Sequence, residues 1–391
     1  MIQENTVIKE RLKKLRTAMA ENGIDYYIMP TSDFHNSEYS ADFFKVREYF
    51  CGFDGSNGTL VVSQNFAGMW TDGRYFIQAE NQMKGTGVEL FKMLNPGVPT
   101  IPEFLFDNMA DGETLGFDGR VISTSVGENI EKKLSGKIVK YKIDKDLAES
   151  VWTDRPQLPL HDMYVLSDEL CGKSFSEKLS LVRSKMREYG TTAHLLSKLD
   201  DIMWLTNLRG SDVECNPVAL SYAYITADRF VLFVQEKEVT EEVRAYCDKQ
   251  GIELKDYHQL LSFIEDVKID GNVLCDKRNT NFLTYKTLLE KTKKAGVLLK
   301  NEKDPTEIMK AVKNETELKN IREVYLKDSV VLTKFIYWVK QNVGKIPITE
   351  YTAAMKLDGM RAALPGFIEL SFPTISAYKA NAAMAHYEAT E

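Results

Sequence analysis

The chain has 391 residues, of which 43% are hydrophobic and 27% charged, with a net charge of −7. This composition predicts a soluble globular protein of two or three domains. It argues against a membrane protein, because no apolar run reaches the ~18–20 residues of a membrane helix, and against a nucleic-acid partner, because the excess charge is negative. The five cysteines are scattered and form no C-x-x-C pair, as expected of reduced thiols in a cytoplasmic protein.

A repeated helix-and-strand pattern opens both halves of the chain. Residues 6–22 form an amphipathic pattern typical of a helix, which is followed by a glycine and an apolar strand. The segment Arg16–Gly23 recurs as Arg183–Gly190, with Arg, Met, Glu and Gly at the same spacing and another apolar strand after it. The repeat predicts two related α/β domains in tandem, each with a sheet flanked by helices.

Two junctions divide the chain into three predicted domains. The proline-marked stretch Pro156–His161 is the first linker. The second junction lies at Asn301–Pro305, where Asp304 is placed to cap a helix that begins at Pro305. The predicted domains therefore cover residues 1–157, 158–304 and 305–391.

The third segment has the pattern of two helices followed by strands. One long helix is predicted after a cap at Asn314, and a second runs from about Thr349 to just before Pro365. Residues 368–375 and 382–387 have the apolar content of strands. Since two helices and an unpaired sheet edge leave an apolar face uncovered, we expect this segment to be the opening of a domain rather than a complete one.

The densest polar cluster follows the first strand. Asp33, His35 and Glu38 are types of residue that bind metals, and they lie where α/β sheets place ligands. The alternative is a loop whose side chains satisfy backbone groups and border a cleft. A second cluster contains Asp212 and Glu214, which are candidates for metal binding or acid–base work, or else part of a structured turn before a strand.

Two further residues are candidates for binding a substrate. Arg74 follows a strand and a turn glycine. Its guanidinium either binds a substrate carboxylate, or forms a local pair with Asp72, or packs as a buried arginine. His386 follows small residues in the last predicted strand, and it is either a proton shuttle or carbonyl ligand in a cleft or a structural histidine. No complete catalytic signature and no histidine-rich metal motif occurs in the sequence.

The sequence resembles the cytosolic, three-domain type of X-prolyl aminopeptidase, aminopeptidase P, of the pita-bread metallopeptidase family. The resemblance spans the chain from about residue 10 to the last residue. It is carried by the following segments: Ile28–Pro30 with Asp33, His35 and Ser37–Tyr39, then Gly52–Thr59, Thr71–Ala79, Asn207–Pro217, Ala311–Asn314, and Ser371–Ser376 with His386 and Tyr387.

The resemblance implies two creatinase-type N-terminal α/β domains followed by the opening part of a pita-bread α+β catalytic domain. Members remove the N-terminal residue from peptides with proline second, using two divalent metals, usually manganese, and are commonly dimers. His386 matches the family's substrate-contacting histidine, and Arg74 matches an arginine that reaches the peptide from the first domain. The implied partners are a proline-containing peptide and possibly a second copy of the chain.

The family's metal ligands are two aspartates, a histidine and two glutamates, and all follow the position that His386 matches. None of them can be assigned in this sequence, so we expect this chain to bind no metal and to be inactive by itself. The sequence is also compatible with two other functions. One is a non-catalytic peptide-binding or scaffold module of the same fold, and the other is a creatinase-like amidinohydrolase.

Overall fold

The computed structural model describes residues 2–384 and 386–391. The first domain contains these elements in chain order: α1 (Ile2–Glu21), β1 (Tyr26–Pro30), α2 (Val46–Cys51), β2 (Thr59–Ser63), β3 (Ala67–Thr71), α3 (Phe76–Gln82), β4 (Glu89–Lys92), α4 (Ile101–Asn108), β5 (Thr114–Phe117), α5 (Thr124–Leu134), β6 (Lys140–Lys142) and α6 (Ala148–Val151). Across the described residues, none of the helices combines the length and apolar character needed to cross a bilayer.

The second domain repeats this layout. Its elements are β7 (Tyr164–Val165), α7 (Asp168–Cys171), α8 (Phe175–Glu188), β8 (Ala193–Leu196), α9 (Leu199–Thr206), β9 (Leu208–Arg209), β10 (Tyr222–Thr226), β11 (Phe230–Val234), α10 (Glu241–Gln250), β12 (Glu253–Asp256), α11 (Leu260–Asp266), β13 (Val273–Cys275), α12 (Phe282–Ala295) and β14 (Leu299–Lys300). The remaining helices are α13 (Pro305–Ala311), α14 (Glu315–Asn342) and α15 (Glu350–Ala362).

The two domains have the same sheet topology. The first six-stranded sheet has the order β4-β3-β2-β1-β5-β6, and the second has the order β12-β11-β10-β8-β13-β14. In each sheet the first hairpin strand, β2 or β10, pairs antiparallel with the second hairpin strand and with β1 or β8, and the other three strand pairs are parallel. The predicted tandem of mixed sheets flanked by helices is confirmed.

The repeated arginine makes an equivalent hydrogen bond in both domains. Arg16 donates from Nε to the carbonyl oxygen of Ser63 (2.9 Å), at the turn between β2 and β3. Arg183 donates from Nε to the carbonyl oxygen of Thr226 (2.8 Å), at the turn between β10 and β11. Each arginine therefore ties the helix that precedes the first strand of its six-stranded sheet to the hairpin.

Each of the two domains inserts an aromatic side chain into the hydrophobic core of the other. Phe34, from the loop after β1, is buried in the core of the second domain. Phe282, from the start of α12, is buried in the core of the first domain and lies 5.9 Å from Phe117 between ring centroids. A side chain on Gly127 would clash with the Phe282 ring, so this glycine allows the close approach. The domains are packed as one unit.

The third segment contacts the second domain through the N-terminal ends of α13 and α14. Asn314 caps α14 through the predicted capping box with Glu317 and also donates to the carbonyl oxygen of Cys171 (2.8 Å). Pro305 begins α13 as predicted, but Asp304 does not cap it through its side chain. The Asp304 carboxylate is buried and accepts from Asn279 Nδ2 (2.7 Å) instead, because it faces the second domain.

The predicted strands in the last part of the chain are wrong. Residues 368–375 have no regular structure, and residues 379–383 form a turn of 3₁₀ helix; Ala385 lies outside the described residues. A strand needs a partner to bond with, and the described residues of this segment have none. Large apolar side chains on α14 are exposed, including Val324 (60%) and Leu326 (68%).

Candidate functional site

Two segments of the first domain, 52–59 and 71–79, form one polar surface at the end of β3. The Thr71 hydroxyl donates to the carbonyl oxygen of Asn57 (2.6 Å), and Asn57 Nδ2 donates to Asp72 Oδ2 (2.5 Å). The hydroxyls of Ser56 and Tyr75 are hydrogen bonded at 2.6 Å. These bonds fix the turn that carries Arg74.

The buried side chain of Arg47 donates hydrogen bonds to the loop that forms this surface. It donates from Nη1 to the carbonyl oxygen of Phe53 and from Nη2 to that of Gly55, both at 2.6 Å, and from Nε to the Thr31 hydroxyl at 2.7 Å. Satisfying a buried guanidinium with backbone oxygens rigidifies the loop that presents Asn57. Sequence reasoning did not assign this role to Arg47, because nothing in the sequence shows which carbonyl groups an arginine will reach.

Arg74 is held by its neighbour in the turn. Its Nε and Nη2 donate to the two carboxylate oxygens of Asp72, both at 2.8 Å, and this pairing holds the pKa of the Asp72 carboxyl below its usual range. The local pair considered from the sequence is therefore present, and the two-pronged edge of the guanidinium is occupied. The remaining Nη1 is the group that Arg74 presents outward.

His386 lies against this outward group although it comes 312 residues later. Arg74 Nη1 donates to His386 Nε2 at 3.0 Å, and the His386 ring is stacked on Tyr75 with centroids 5.8 Å apart. Because a guanidinium only donates, Nε2 accepts, and the ring proton is on Nδ1. His386 is in a turn rather than in the predicted strand, and its side chain is exposed.

Glu350, at the start of α15, organises the segment that carries His386. Its carboxylate accepts from Asn381 Nδ2 (2.9 Å), from the Tyr387 hydroxyl (2.6 Å) and from the backbone N–H of Tyr378. The third segment is thereby folded back so that its end reaches the first domain. The two candidate substrate-contacting residues, Arg74 and His386, are brought together across domains.

The Asp33–Glu38 cluster is an interdomain contact. His35 donates from Nδ1 to the carbonyl oxygen of Ser197 (2.8 Å), so Nε2 accepts from the Tyr257 hydroxyl (2.7 Å). Burial lowers the pKa of His35, which keeps the ring neutral. Asp33 Oδ1 accepts the backbone N–H groups of His35 and Ser37, both at 2.8 Å. With both ring nitrogens engaged, the metal hypothesis for this cluster is wrong, and the capped-loop alternative holds.

The second carboxylate pair is a structured turn. Asp212 is buried and accepts from the backbone N–H of Leu220 (2.8 Å), and it lies 3.3 Å from His161 Nδ1. Glu214 is exposed on the other side of the turn. Since the two side chains face different environments, they do not form a joint site, and the partner of Asp212 is the buried Glu238 instead.

Comparison with known proteins agrees with this architecture. Residues 11–145 and 154–317 each match the Creatinase/Prolidase N-terminal domain, and residues 319–391 match Metallopeptidase family M24. Aminopeptidase P2 of Arabidopsis thaliana is 34% identical over 99% of this chain, and Xaa-Pro aminopeptidase 1 of Dictyostelium discoideum is 32% identical over 98%. The chain belongs to the Xaa-Pro aminopeptidase family.

A solved member of the family has the same fold. X-prolyl aminopeptidase from Caenorhabditis elegans, a cytosolic enzyme with a di-nuclear active site, matches 97% of this chain with a TM-score of 0.89 at 30% identity. The chain spans 64% of that protein, 58% of the Arabidopsis relative and 62% of the Dictyostelium relative. The predicted order of two creatinase-type domains and a pita-bread domain is confirmed. The names of these relatives favour the aminopeptidase over the creatinase-like alternative.

The described residues do not fit the di-nuclear centre of the family. In residues 2–384 and 386–391, no three His, Cys, Asp or Glu side chains come together in a way that would hold a metal ion. His386 has an arginine and a tyrosine as neighbours, not a carboxylate. The described residues at this surface are joined by hydrogen bonds between Asp72, Arg74 and His386.

Proposed function

We propose that this chain forms the peptide-binding part of an Xaa-Pro aminopeptidase, an enzyme that removes the N-terminal residue from peptides with proline in second position. The observation that carries the proposal is the contact between Arg74 and His386. It joins the creatinase-type first domain to the M24 segment at one exposed point, where a peptide can touch both.

The chemistry of this pair suits a peptide backbone. Arg74 Nη1 is a cationic donor for a substrate carbonyl oxygen, while Asp72 holds the rest of the guanidinium in place. His386 presents Nδ1–H as a second donor, and its Nε2 becomes an acceptor for the peptide when Arg74 turns to the ligand. The Tyr75 ring is buried and lies against the imidazole, with the ring centroids 5.8 Å apart, so it supports the orientation of His386.

Peptide hydrolysis by the family requires divalent metals, for which we propose manganese in the full-length enzyme. We propose that the 391 residues bind the substrate without cleaving it, since the described side chains do not assemble a metal centre. We also propose a cytoplasmic location, supported by the cytosolic relative from Caenorhabditis elegans.

The test is the affinity of the purified chain for two matched peptides that begin Ala-Pro and Ala-Ala. We expect the Ala-Pro peptide to bind more tightly, and Arg74→Ala to weaken its binding about tenfold through loss of a charge-assisted hydrogen bond. Arg244→Ala is the matched control, because Arg244 is equally exposed (45% against 44%) and is also paired with one carboxylate. Equal affinity for both peptides, or an unaltered affinity in Arg74→Ala, would overturn the proposal.

A hydrolysis assay with added Mn²⁺ tests the second part of the proposal. We expect no release of the first residue above background from an Ala-Pro peptide. Turnover well above background by the purified 391-residue chain would show that it assembles a working centre, and the claim of binding without cleavage would be wrong.

A further inference from the structure

The first domain contains a cavity of about 650 Å³ beside the Arg74 surface. It lies at the carboxyl ends of β1 and β3, below α4 and α5, where α/β sheets commonly bind ligands. Its floor is apolar and includes Ile28, Trp70 and Ile130. Its lining, as far as the described residues form it, contains no Asp, Glu, Lys, Arg or His. The volume is in the range of small-ligand sites, and the interior suits an uncharged group.

The cavity is connected to the proposed peptide-binding point by a short series of hydrogen bonds. Asn57 lines the cavity and donates to Asp72 (2.5 Å), Asp72 holds Arg74 (2.8 Å), and Arg74 reaches His386 (3.0 Å). Asn57 is therefore part of both the cavity lining and the hydrogen-bonded group that holds Arg74, so the cavity borders the proposed peptide-binding point.

A buried donor in the cavity wall has no acceptor. Asn36 lines the cavity, and its Nδ2 is buried without a hydrogen-bond partner within the described part of the chain. The Asn36 Oδ1 accepts from the Ser32 hydroxyl (3.3 Å), and the Asn36 backbone is left-handed at φ 56°. An unpaired buried amide costs about 1–3 kcal/mol. Because Nδ2 has almost no accessible surface, a ligand in the cavity reaches it only after the Asn36 side chain turns toward the cavity.

The rim carries an apolar side chain in an unfavourable position. Leu94 is 96% exposed and has a left-handed backbone at φ 66°, which is rare for a leucine. The same loop ends at Pro99, whose carbonyl oxygen accepts from Trp70 Nε1 (2.8 Å), so the loop is fixed to the cavity floor. Leu94 therefore adds apolar surface at the mouth of the cavity.

We infer that this cavity takes an uncharged apolar side chain from the downstream part of a bound peptide, beyond the proline. The inference rests on the proposed function and adds a substrate preference to it. Peptides long enough to reach the cavity, with apolar residues in their downstream part, bind more tightly than short peptides or peptides with charges there.

The test compares two heptapeptides that begin Ala-Pro and differ only at positions five and six, which are leucine in one and aspartate in the other. Binding to the purified 391-residue chain is measured by calorimetry. We expect the leucine peptide to bind about tenfold more tightly, since an aspartate would have to enter an uncharged cavity.

A variant in which a larger side chain fills the cavity provides the matched comparison with the unmodified protein. Val126 lines the cavity from α5 and is 48% exposed, so Val126→Trp occupies the mouth without disturbing the core. Leu181→Trp, at a similarly exposed position (43%) on α8, is the control. We expect Val126→Trp to abolish the preference for leucine and Leu181→Trp to retain it.

The outcomes separate this inference from the proposed function. Equal affinity for the two heptapeptides, or a leucine preference that survives Val126→Trp, would overturn the inference while peptide binding at Arg74 stands. Failure of both heptapeptides to bind would contradict the proposed function itself, and the inference with it.

Discussion

Replacing Glu238 with glutamine is expected to stabilise the protein at neutral pH. Glu238 is fully buried next to Asp212, and Gln235 donates to one of its oxygens. Gln235 also donates to the carbonyl oxygen of Pro159 (2.7 Å), and the backbone carbonyl of Glu238 accepts from Met163 (2.8 Å). The carboxyl pair therefore lies where the interdomain linker is attached to the second domain.

The magnitude follows from the titration of Glu238. Burial, together with the nearby Asp212 carboxyl, raises the pKa of Glu238 to about 9, whereas a glutamate in the unfolded chain has a pKa of about 4.3. Between these two values the unfolded state releases a proton that the folded state retains, so stability falls as the pH rises, by about 1.4 kcal/mol per unit. The cost is about 1 kcal/mol at pH 5 and about 4 kcal/mol at pH 7.

Glutamine mimics the protonated carboxyl, because its amide donates to Asp212 and its oxygen accepts from Gln235 without titrating. Urea unfolding at pH 5, 7 and 8 should therefore give Glu238→Gln a stability gain that grows with pH. Glu265→Gln, at an exposed position, is the control and should leave the profile unaltered. The same pH slope in Glu238→Gln and in the unmodified protein, or a loss of stability at every pH, would refute the reasoning.

Two further substitutions test the interdomain contact and the support of Arg74. His35→Ala removes the partners of the Ser197 carbonyl and the Tyr257 hydroxyl in a buried interface, so we expect a loss of about 3 kcal/mol in unfolding free energy by urea denaturation; a loss below about 0.5 kcal/mol would contradict the contact. Asp72→Asn should weaken Ala-Pro peptide binding about fivefold in calorimetry, because Arg74 loses its ionic partner; an unaltered affinity would show that Arg74 is positioned by other groups.

The elements that the sequence predicts well depend on local signals. The cap at Asn314 needs only the glutamate three residues later, and the capping box is present. The repeat at Arg16 and Arg183 predicts two related domains, and both arginines reach equivalent hairpins. In these cases the residues that decide the structure lie within one helix turn or follow the same helix-and-strand order.

The elements that the sequence does not predict depend on contacts between distant segments. His35 has the chemistry of a metal ligand, and only the approach of Ser197 and Tyr257, 162 and 222 residues away, shows that its nitrogens are occupied. Asp304 has the position of a helix cap, but its side chain accepts a hydrogen bond from Asn279 in the second domain instead. Apolar content near residue 370 suggested strands, although no described neighbour pairs with them.

The candidate site depends on both local sequence signals and contacts between distant segments. Arg74 and His386 were identified from the segments that resemble the family, and their pairing is visible only in three dimensions. Whether they contact substrate stays a prediction. The cavity below α4 and α5 had no signal in the sequence, because its lining is composed of common apolar and small polar residues from several segments.

The central claim is that the first domain and the terminal segment form one peptide-binding point. The most direct test is a double-mutant cycle that measures the affinity for an Ala-Pro peptide in Arg74→Ala, His386→Ala and the double variant. We predict that each single variant weakens binding and that the double variant is little weaker than the worse single one, with a coupling of about 1 kcal/mol or more. Strictly additive losses, or an affinity that neither substitution alters, would contradict the account.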